Sequence, residues 1–472
     1  MKTLKRLMAG MMMVASVCTA TASNGDCDHF STTQVEQQNP KNMTQTNTFS
    51  TIAEPVKASG NHYYVSRNTG RGRIASKEQP AKDLGNIIAK LQPGDVIHIA
   101  EGVYTSRGDQ GADEINVPVS IIGGYSADFS KRDPWGAHRT VLTGTNHIDG
   151  LTTPRIYIKT HLKHRTWVGD ITIDGVIVDN GPRNRYKDEK ELCILRKANP
   201  AKEVNASPGS AGIKVLVGKE TNVTVRNCIV MNTAPMEGAL SVQGNQNSKV
   251  LIENNIVVNN TGNGIQCLSA WHSSPGNGLP SFRVINNTVL FTWKPDAIAS
   301  NSGNALSMDT SIELVAEGNT FGFSDRGGVD NIKKCKTITL KDNLITASKK
   351  FDYREFNTKM TIEEIEDESD FMSYESTGNI TKAVQVPVSS EWAKVYASRK
   401  EISRAQVDAQ AKAHNNDANA LRSMLGLNLR ANSVSMDAEI WLHRMSIEDA
   451  LKVGMQQYEG KYGASNPGEI VQ

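Results

Sequence analysis

Five times the chain writes the same short phrase: alternating apolar residues, a small or amide residue, then a second apolar pair. It reads VTVRNCIVMN from Val223, VLIENNIVVNN from Val250, FRVINNTVLFT from Phe282, IELVAEGNTFGF from Ile312 and ITLKDNLITAS from Ile338. Marked by Cys228, Asn255, Asn287, Asn319 and Asn343, the repeats lie 27, 32, 32 and 24 residues apart. A near-constant period with loops of variable length is the pattern of a solenoid, in which each coil returns to stack on the one before. Within a phrase, Val223, Val225 and Ile229 are expected to point inward, because side chains alternate faces along a strand. The asparagines at the bend tolerate a left-handed backbone and can bond their equivalents in the next coil, which makes them a structural spine. Function is then to be sought on the outside of the coil.

A second column follows each turn: Gly212-Ile213-Lys214-Val215, Gly238-Ala239-Leu240, Gly264-Ile265-Gln266-Cys267, Ala297-Ile298-Ala299 and Gly328-Val329-Asp330. Aligning the glycines places Lys214, Leu240, Gln266, Ala299 and Asp330 outward on one sheet, with Glu237, Asn263 and Asp296 along its edge. At about 4.8 Å per coil, Lys214 and Gln266 would stand about 10 Å apart, a spacing suited to following a sugar chain. The longest insertion, residues 182–210, precedes this strip and carries Arg183, Arg185, Tyr186, Lys187, Lys190, Arg196, Lys197 and Lys202. From Leu151 to Lys202 eleven Lys and Arg oppose six Asp and Glu, a local excess of +5. An ordinary charged loop explains this; so does a clamp for an anionic polymer, in which arginine binds carboxylates in bidentate fashion. Trp271-His272 and Trp293-Lys294, each just after a coil, would offer stacking surfaces and a proton donor.

The N-terminus carries Lys2, Lys5 and Arg6, an apolar run from Leu7 to Val17 and Ala20-Thr21-Ala22, the layout of a secretory signal peptide over residues 1–22. Val17 is a poor residue before a lipidated cysteine, so a lipid anchor at Cys18 is the lesser alternative. No later run is long and apolar enough to predict a transmembrane helix. Removing three positive charges from the formal +2 leaves −1. That balance argues against a nucleic-acid partner, which needs a wide basic surface. Five cysteines remain (Cys27, Cys193, Cys228, Cys267 and Cys335), too few for a disulfide scaffold, and Cys228 and Cys267 fall inside strand patterns as small buried hydrophobes.

Residues 23–60 read as a flexible polar leader. The β-helix is expected over 61–352, an acidic connector with TIEEIEDESD over 353–388, and a helical cap on the last coil over 389–472. Within that cap Ser389–Leu427 and Ser446–Tyr458 read as helices, with Ser446 and Asp449 forming a capping box and Gly460 a stop. A helix-like stretch near 81–91 precedes PGDVIHIAEGVY from Pro93, and VSIIGGYSADFSKRDPWGAHRTVLTG runs from Val119. These segments resemble the opening of right-handed parallel β-helix proteins of the pectin-lyase-like class, over roughly residues 62 to 350.

The resemblance implies an all-β solenoid plugged by an N-terminal helix, and a secreted, periplasmic or cell-surface protein acting on an acidic polysaccharide as an expected monomer. Lyases of this fold neutralise a uronate carboxylate and remove the neighbouring proton. Arg183 or Arg185, or a cation held by Glu237 and Asp296, would neutralise; Lys214 would serve as base and His272 as proton donor. Gln266, Asn263, Trp271, Trp293, Lys294 and Asp330 would bind substrate. No cofactor is required, and Ca2+ through Glu237 and Asp296 is the one metal this reading admits, since no HExxH, paired CxxC or EF-hand loop occurs. The motifs of polygalacturonase-like hydrolases, of pectate lyases and of mannuronan epimerases are absent. A non-catalytic glycan-binding or matrix protein, a glycoside hydrolase using Glu237 with Asp296, and an adhesin acting through its tail therefore stay open as alternatives.

Overall fold

The computed structural model describes residues 60–106, 111–144, 153–162, 165–183, 211–233, 237–270, 276–293, 302–335, 337–367, 374–387 and 444–471, all within one compact unit, Lys57–Gln472. Eight coils among these residues each contribute a strand to three parallel sheets. In the coil from Asn222, for example, Asn222–Arg226 joins the first sheet, Ile229–Met231 the second and Gly238–Gly244 the third. Neighbouring coils pair in parallel register, Val223 with Val250 and Val250 with Phe282. The inward residues form one continuous apolar core from Val65 to Ile365. The protein is an all-β parallel β-helix.

Each repeated phrase turns the corner between the first and second sheets, and two adjacent residues divide the work. The first residue of the bend takes the left-handed conformation: Asn227, Asn254 and Asn286 at φ 52°, 53° and 53°, Gly318 at 69°, Asp342 at 48° and Gly378 at 67°. The second is fully buried and forms the ladder. Asn287 Oδ1 accepts from Asn255 N and Nδ2 at 3.0 and 2.9 Å, and Asn287 Nδ2 donates to Ile252 O at 2.9 Å. Asn319 and Asn343 repeat the pattern, and Cys228 heads the ladder through its N–H alone. One residue was expected to do both jobs; the backbone separates them, since the left-handed residue points its side chain away from the interior stack. Cys228, Cys267 and Cys335 are free thiols in the core.

The ends and the flank depart from expectation. At the N-terminal end two 3-10 turns, Leu84–Asn86 and Ile88–Lys90, bury Leu84 and Ile87 in the core. The stretch 353–388 is no connector. It completes the solenoid with helix α1 (Ile362–Asp367), which drops Ile362 and Ile365 into the core, and with strand Tyr374–Thr377 paired to Ile338–Lys341. Asn379 extends the ladder, with Oδ1 accepting from Asn343 N at 3.0 Å.

The described part of the expected cap, residues 444–471, lies elsewhere than on the last coil. Helix α2 (Ile447–Gly454), N-capped by Ser446 Oγ accepting from Asp449 N at 3.0 Å, lies on the outer face of the second sheet. There Ile177, Ile229, Ile256, Leu290 and Trp293 form an apolar surface, which Met445, Leu451, Val453 and Tyr458 cover. The helix stops at Gly454, four residues short of the expected end, where the chain meets Ile256 so closely that an added Cβ would sit 2.4 Å from its Cδ1. The strand Ile470–Val471 then pairs antiparallel with Lys131–Arg132. Residues 1–59 and 388–443, with the expected leader and the helix at 389–427, lie outside the described residues.

Replacing Asn287 by Ala removes donors and acceptors from two neighbouring coils, and should cost about 2 to 4 kcal/mol in chemical denaturation. A second prediction concerns the C-terminal plug. Burial, reinforced by Glu363, pushes the Asp352 carboxyl up to about 6 against the hydrogen bond from Ile362 N. A carboxyl raised in the folded state favours folding at low pH, and the benefit is lost as pH climbs through that value. Asp352→Asn should therefore raise the thermal midpoint at about pH 7.5 and change it much less near about pH 2.5, below the carboxyl's value in both the folded and the unfolded state.

Candidate functional site

The third sheet carries a column of outward side chains, one position per coil, in continuous register. Glu114, Tyr157, Lys214, Ser241, Gln266, Ser307, Asp330 and Arg354 stand beside one another on eight successive coils. Their alternate neighbours Ile158, Ile213, Leu240 and Ile265 are fully buried, so the sheet holds these polar groups by burying the residues between them.

Two positions correct the register read from sequence. Gly212 pairs with Ala239 rather than Gly238, since Ile213 lies opposite Leu240. Leu240 is consequently inward, and Ser241 takes the outward position. The position assigned to Ala299 belongs to Ser307, on strand Leu306–Met308. The physical reason is a requirement for small residues. A Cβ at Gly212 would lie 2.5 Å from Val230 Cγ1, and one at Gly264 only 2.3 Å from Val289 Cγ1. The Gly238-Ala239 pair satisfied that requirement in either frame, and a slip of one residue reverses every face.

Lys214 Nζ donates to Glu237 Oε2 at 2.6 Å, and the Glu237 side chain is exposed. One coil away is Tyr157, which the sequence reading missed; burial, then Glu114 and Glu237, pushes its phenol up, so it is protonated at neutral pH. The signal was present in IYIK from Ile156, which matches IKVL from Ile213 in its alternation. Ser241 Oγ and Gln266 Oε1 are shielded from solvent without a hydrogen-bond partner among the described residues. Buried polar groups are ordinarily paired, so this part of the strip carries unused bonding capacity.

Other expected site residues are consumed by structure. Asp330 is buried and held by Arg354 Nε and Nη2, both at 2.7 Å, with Asn304 Nδ2 at 2.9 Å. Asn263 is buried, its Oδ1 accepting from Asn304 Nδ2 at 3.1 Å. Trp293 is not a platform for a sugar: it lies beneath the C-terminal segment, stacks on Phe291 and donates from Nε1 to Asn259 Oδ1 at 2.8 Å. Its position at a loop base resembled exposure because the sequence does not reveal what covers the second sheet. Glu237 is paired with Lys214, and the described residues gather no group of three His, Cys, Asp or Glu for a metal ion. Arg183 ends the 3-10 turn Gly181–Arg183 at the margin of the described residues; Arg185, Trp271, His272, Lys294 and Asp296 lie outside them.

Three parallel sheets with an amide ladder at the first bend define a parallel β-helix. No protein-family model matches the chain, and no curated protein matches it. Two solved structures are similar at low identity. Pectate lyase Pel9A shares 14% identity over 74% of this chain and 86% of its own, with a TM-score of 0.28. A rhamnogalacturonan lyase shares 10% identity over 72% of this chain and 93% of its own, with a TM-score of 0.29. No helix among the described residues is long and apolar enough to cross a membrane.

Asp330 and Arg354 form a buried charge pair, so removing one partner strands the other. Arg354→Met should destabilise the protein by about 3 to 5 kcal/mol in urea titration, and adding Asp330→Leu should recover much of the loss.

Proposed function

We propose that the protein binds an acidic, uronate-containing polysaccharide along the outer face of the third sheet and cleaves it by β-elimination, outside the cytoplasm as its leader suggests. The observation that carries this reading is the juxtaposition of Tyr157, Lys214 and Glu237: a cation held by an exposed carboxylate, beside a protonated phenol.

A substrate carboxylate competes with Glu237 for Lys214 Nζ. Once bound, it has its charge cancelled by the ammonium, and the C5–H beside it becomes more acidic. The displaced Glu237 accepts that proton, the C–H electron pair becomes the C4–C5 double bond, and the C4–O bond breaks. Tyr157 protonates the departing oxygen and is restored from solvent. Lys214, expected from sequence to be the base, suits the neutralising role because its Nζ already pairs with a carboxylate. Gln266, two coils beyond Lys214 and partly exposed, continues the polar column about 10 Å along the face.

The test is incubation with alginate, pectin and glycosaminoglycans while following the ultraviolet absorbance of unsaturated ends. Absorbance should rise with at least one of them. Lys214→Arg should retain measurable activity, since it keeps the cation, whereas Lys214→Ala and Tyr157→Phe should each lower kcat by about 10²-fold or more. If all three polymers stay intact, elimination is wrong; binding without cleavage would make the strip a glycan-binding surface.

A further inference from the structure

A second polar site lies at the bend between the first and second sheets. It is a cavity of about 370 Å³ walled on one side by Asp174, Arg226 and Glu253, and on the other by Pro467 and Ile470 of the C-terminal segment. That volume falls within the range of small-molecule sites.

Asp174, Arg226 and Glu253 stand in register on three successive coils of the first sheet, so Arg226 has a carboxylate on each side. It turns wholly to one of them. Arg226 Nε donates to Asp174 Oδ2 at 2.8 Å, and Asp174 also receives Arg132 Nη2 at 2.5 Å and Asn227 Nδ2 at 2.9 Å. Two guanidinium groups outweigh its burial and hold the Asp174 carboxyl below its usual range. The Glu253 carboxylate, on the other side, makes no hydrogen bond or ion pair among the described residues. It is half-buried, and that burial, outweighing Arg226 and Arg283, pushes its carboxyl up. The terminal amino groups of Arg226 likewise carry no bond among the described residues.

A desolvated carboxylate facing an arginine one coil away, yet unpaired with it, costs stability that the fold does not recover. The cavity thus keeps an acceptor and a donor edge about 4.8 Å apart, opposite an apolar wall. Glu253 disfavours an anion there and Arg226 a cation. Adjacent hydroxyls fit the pair, one donating to the carboxylate and one accepting from the guanidinium, while the C–H face of a ring packs on Pro467 and Ile470. We propose that this cavity binds one neutral sugar unit, with Glu253 and Arg226 bonding neighbouring hydroxyls. The site lies on a different sheet from the Lys214 strip and stands independently of the chemistry proposed there.

Saturation-transfer NMR on the full chain, with the methyl glycosides of glucose, galactose, mannose, rhamnose and xylose and with galacturonate as the charged control, tests this. At least one neutral glycoside should receive saturation, and Glu253→Leu should weaken its binding by about ten-fold or more, the loss of a charge-assisted hydrogen bond. Lys214→Ala should leave that binding unchanged, which separates this site from the third sheet. Glu253→Gln, which removes the desolvated charge, should raise the thermal midpoint near pH 7 and confirm a folded protein. Transfer to none of the neutral glycosides, transfer to galacturonate alone, or unchanged affinity in Glu253→Leu would overturn the proposal.

Discussion

Every other part of this molecule depends on a buried amide at one corner of each coil. The bend between the first and second sheets closes in very few residues, which leaves backbone groups inside the solenoid that the sheets cannot pair. Asn255, Asn287, Asn319 and Asn343 satisfy them, each amide returning a hydrogen bond to a carbonyl of the preceding coil; Asn287, Asn319 and Asn343 accept two from that coil, and Asn255 accepts one, from Cys228 N. Because each rung spans two coils, the ladder sets their stacking and hence the sheet register. The left-handed residue before each rung makes the turn sharp enough for the amide to reach inward.

Once the coils are locked in this way, the third sheet becomes a ruler. Outward side chains recur in columns from coil to coil, and neighbours along a column are fixed at the interstrand spacing. Chemistry is nonetheless possible only over part of it. Towards the C-terminal end, Asp330 and Arg354 neutralise each other in the buried state. Around Tyr157, Lys214, Ser241 and Gln266 the bonding capacity is exposed, shared with a displaceable partner or unused. The functional reading rests on that difference rather than on the number of charged residues.

The C-terminal segment is the element that most changes the molecule's surface. The second sheet turns out a face of isoleucine, valine and aromatic residues that water would not tolerate. Helix α2 and the stretch after it cover that face from the coil of Asn232 to that of Gly318, before the final strand returns to Arg132. Covering Trp293 removes it from any contact with a sugar, while the returning strand creates the second wall of the Glu253 cavity. One segment thus closes one surface and builds another.

Much of this architecture was legible in the sequence, because it is periodic and local. The five phrases reported the coil, the corner amides and the inward valines, since each depends on residues within one turn of chain. Lys214 and Gln266 on one outward column were legible for the same reason, while Leu240 and Ser241 exchanged places where Gly238 and Ala239 were equally small. What only the tertiary structure decided involves residues brought together from distant coils or from the tail: the Lys214 pairing with Glu237 beside Tyr157, the neutralised Asp330, the covered Trp293 and the unpaired Glu253. A repeat carries its own stacking rule in its spacing. Which charge faces which, and what lies over an apolar face, depends on contacts between positions that no period relates.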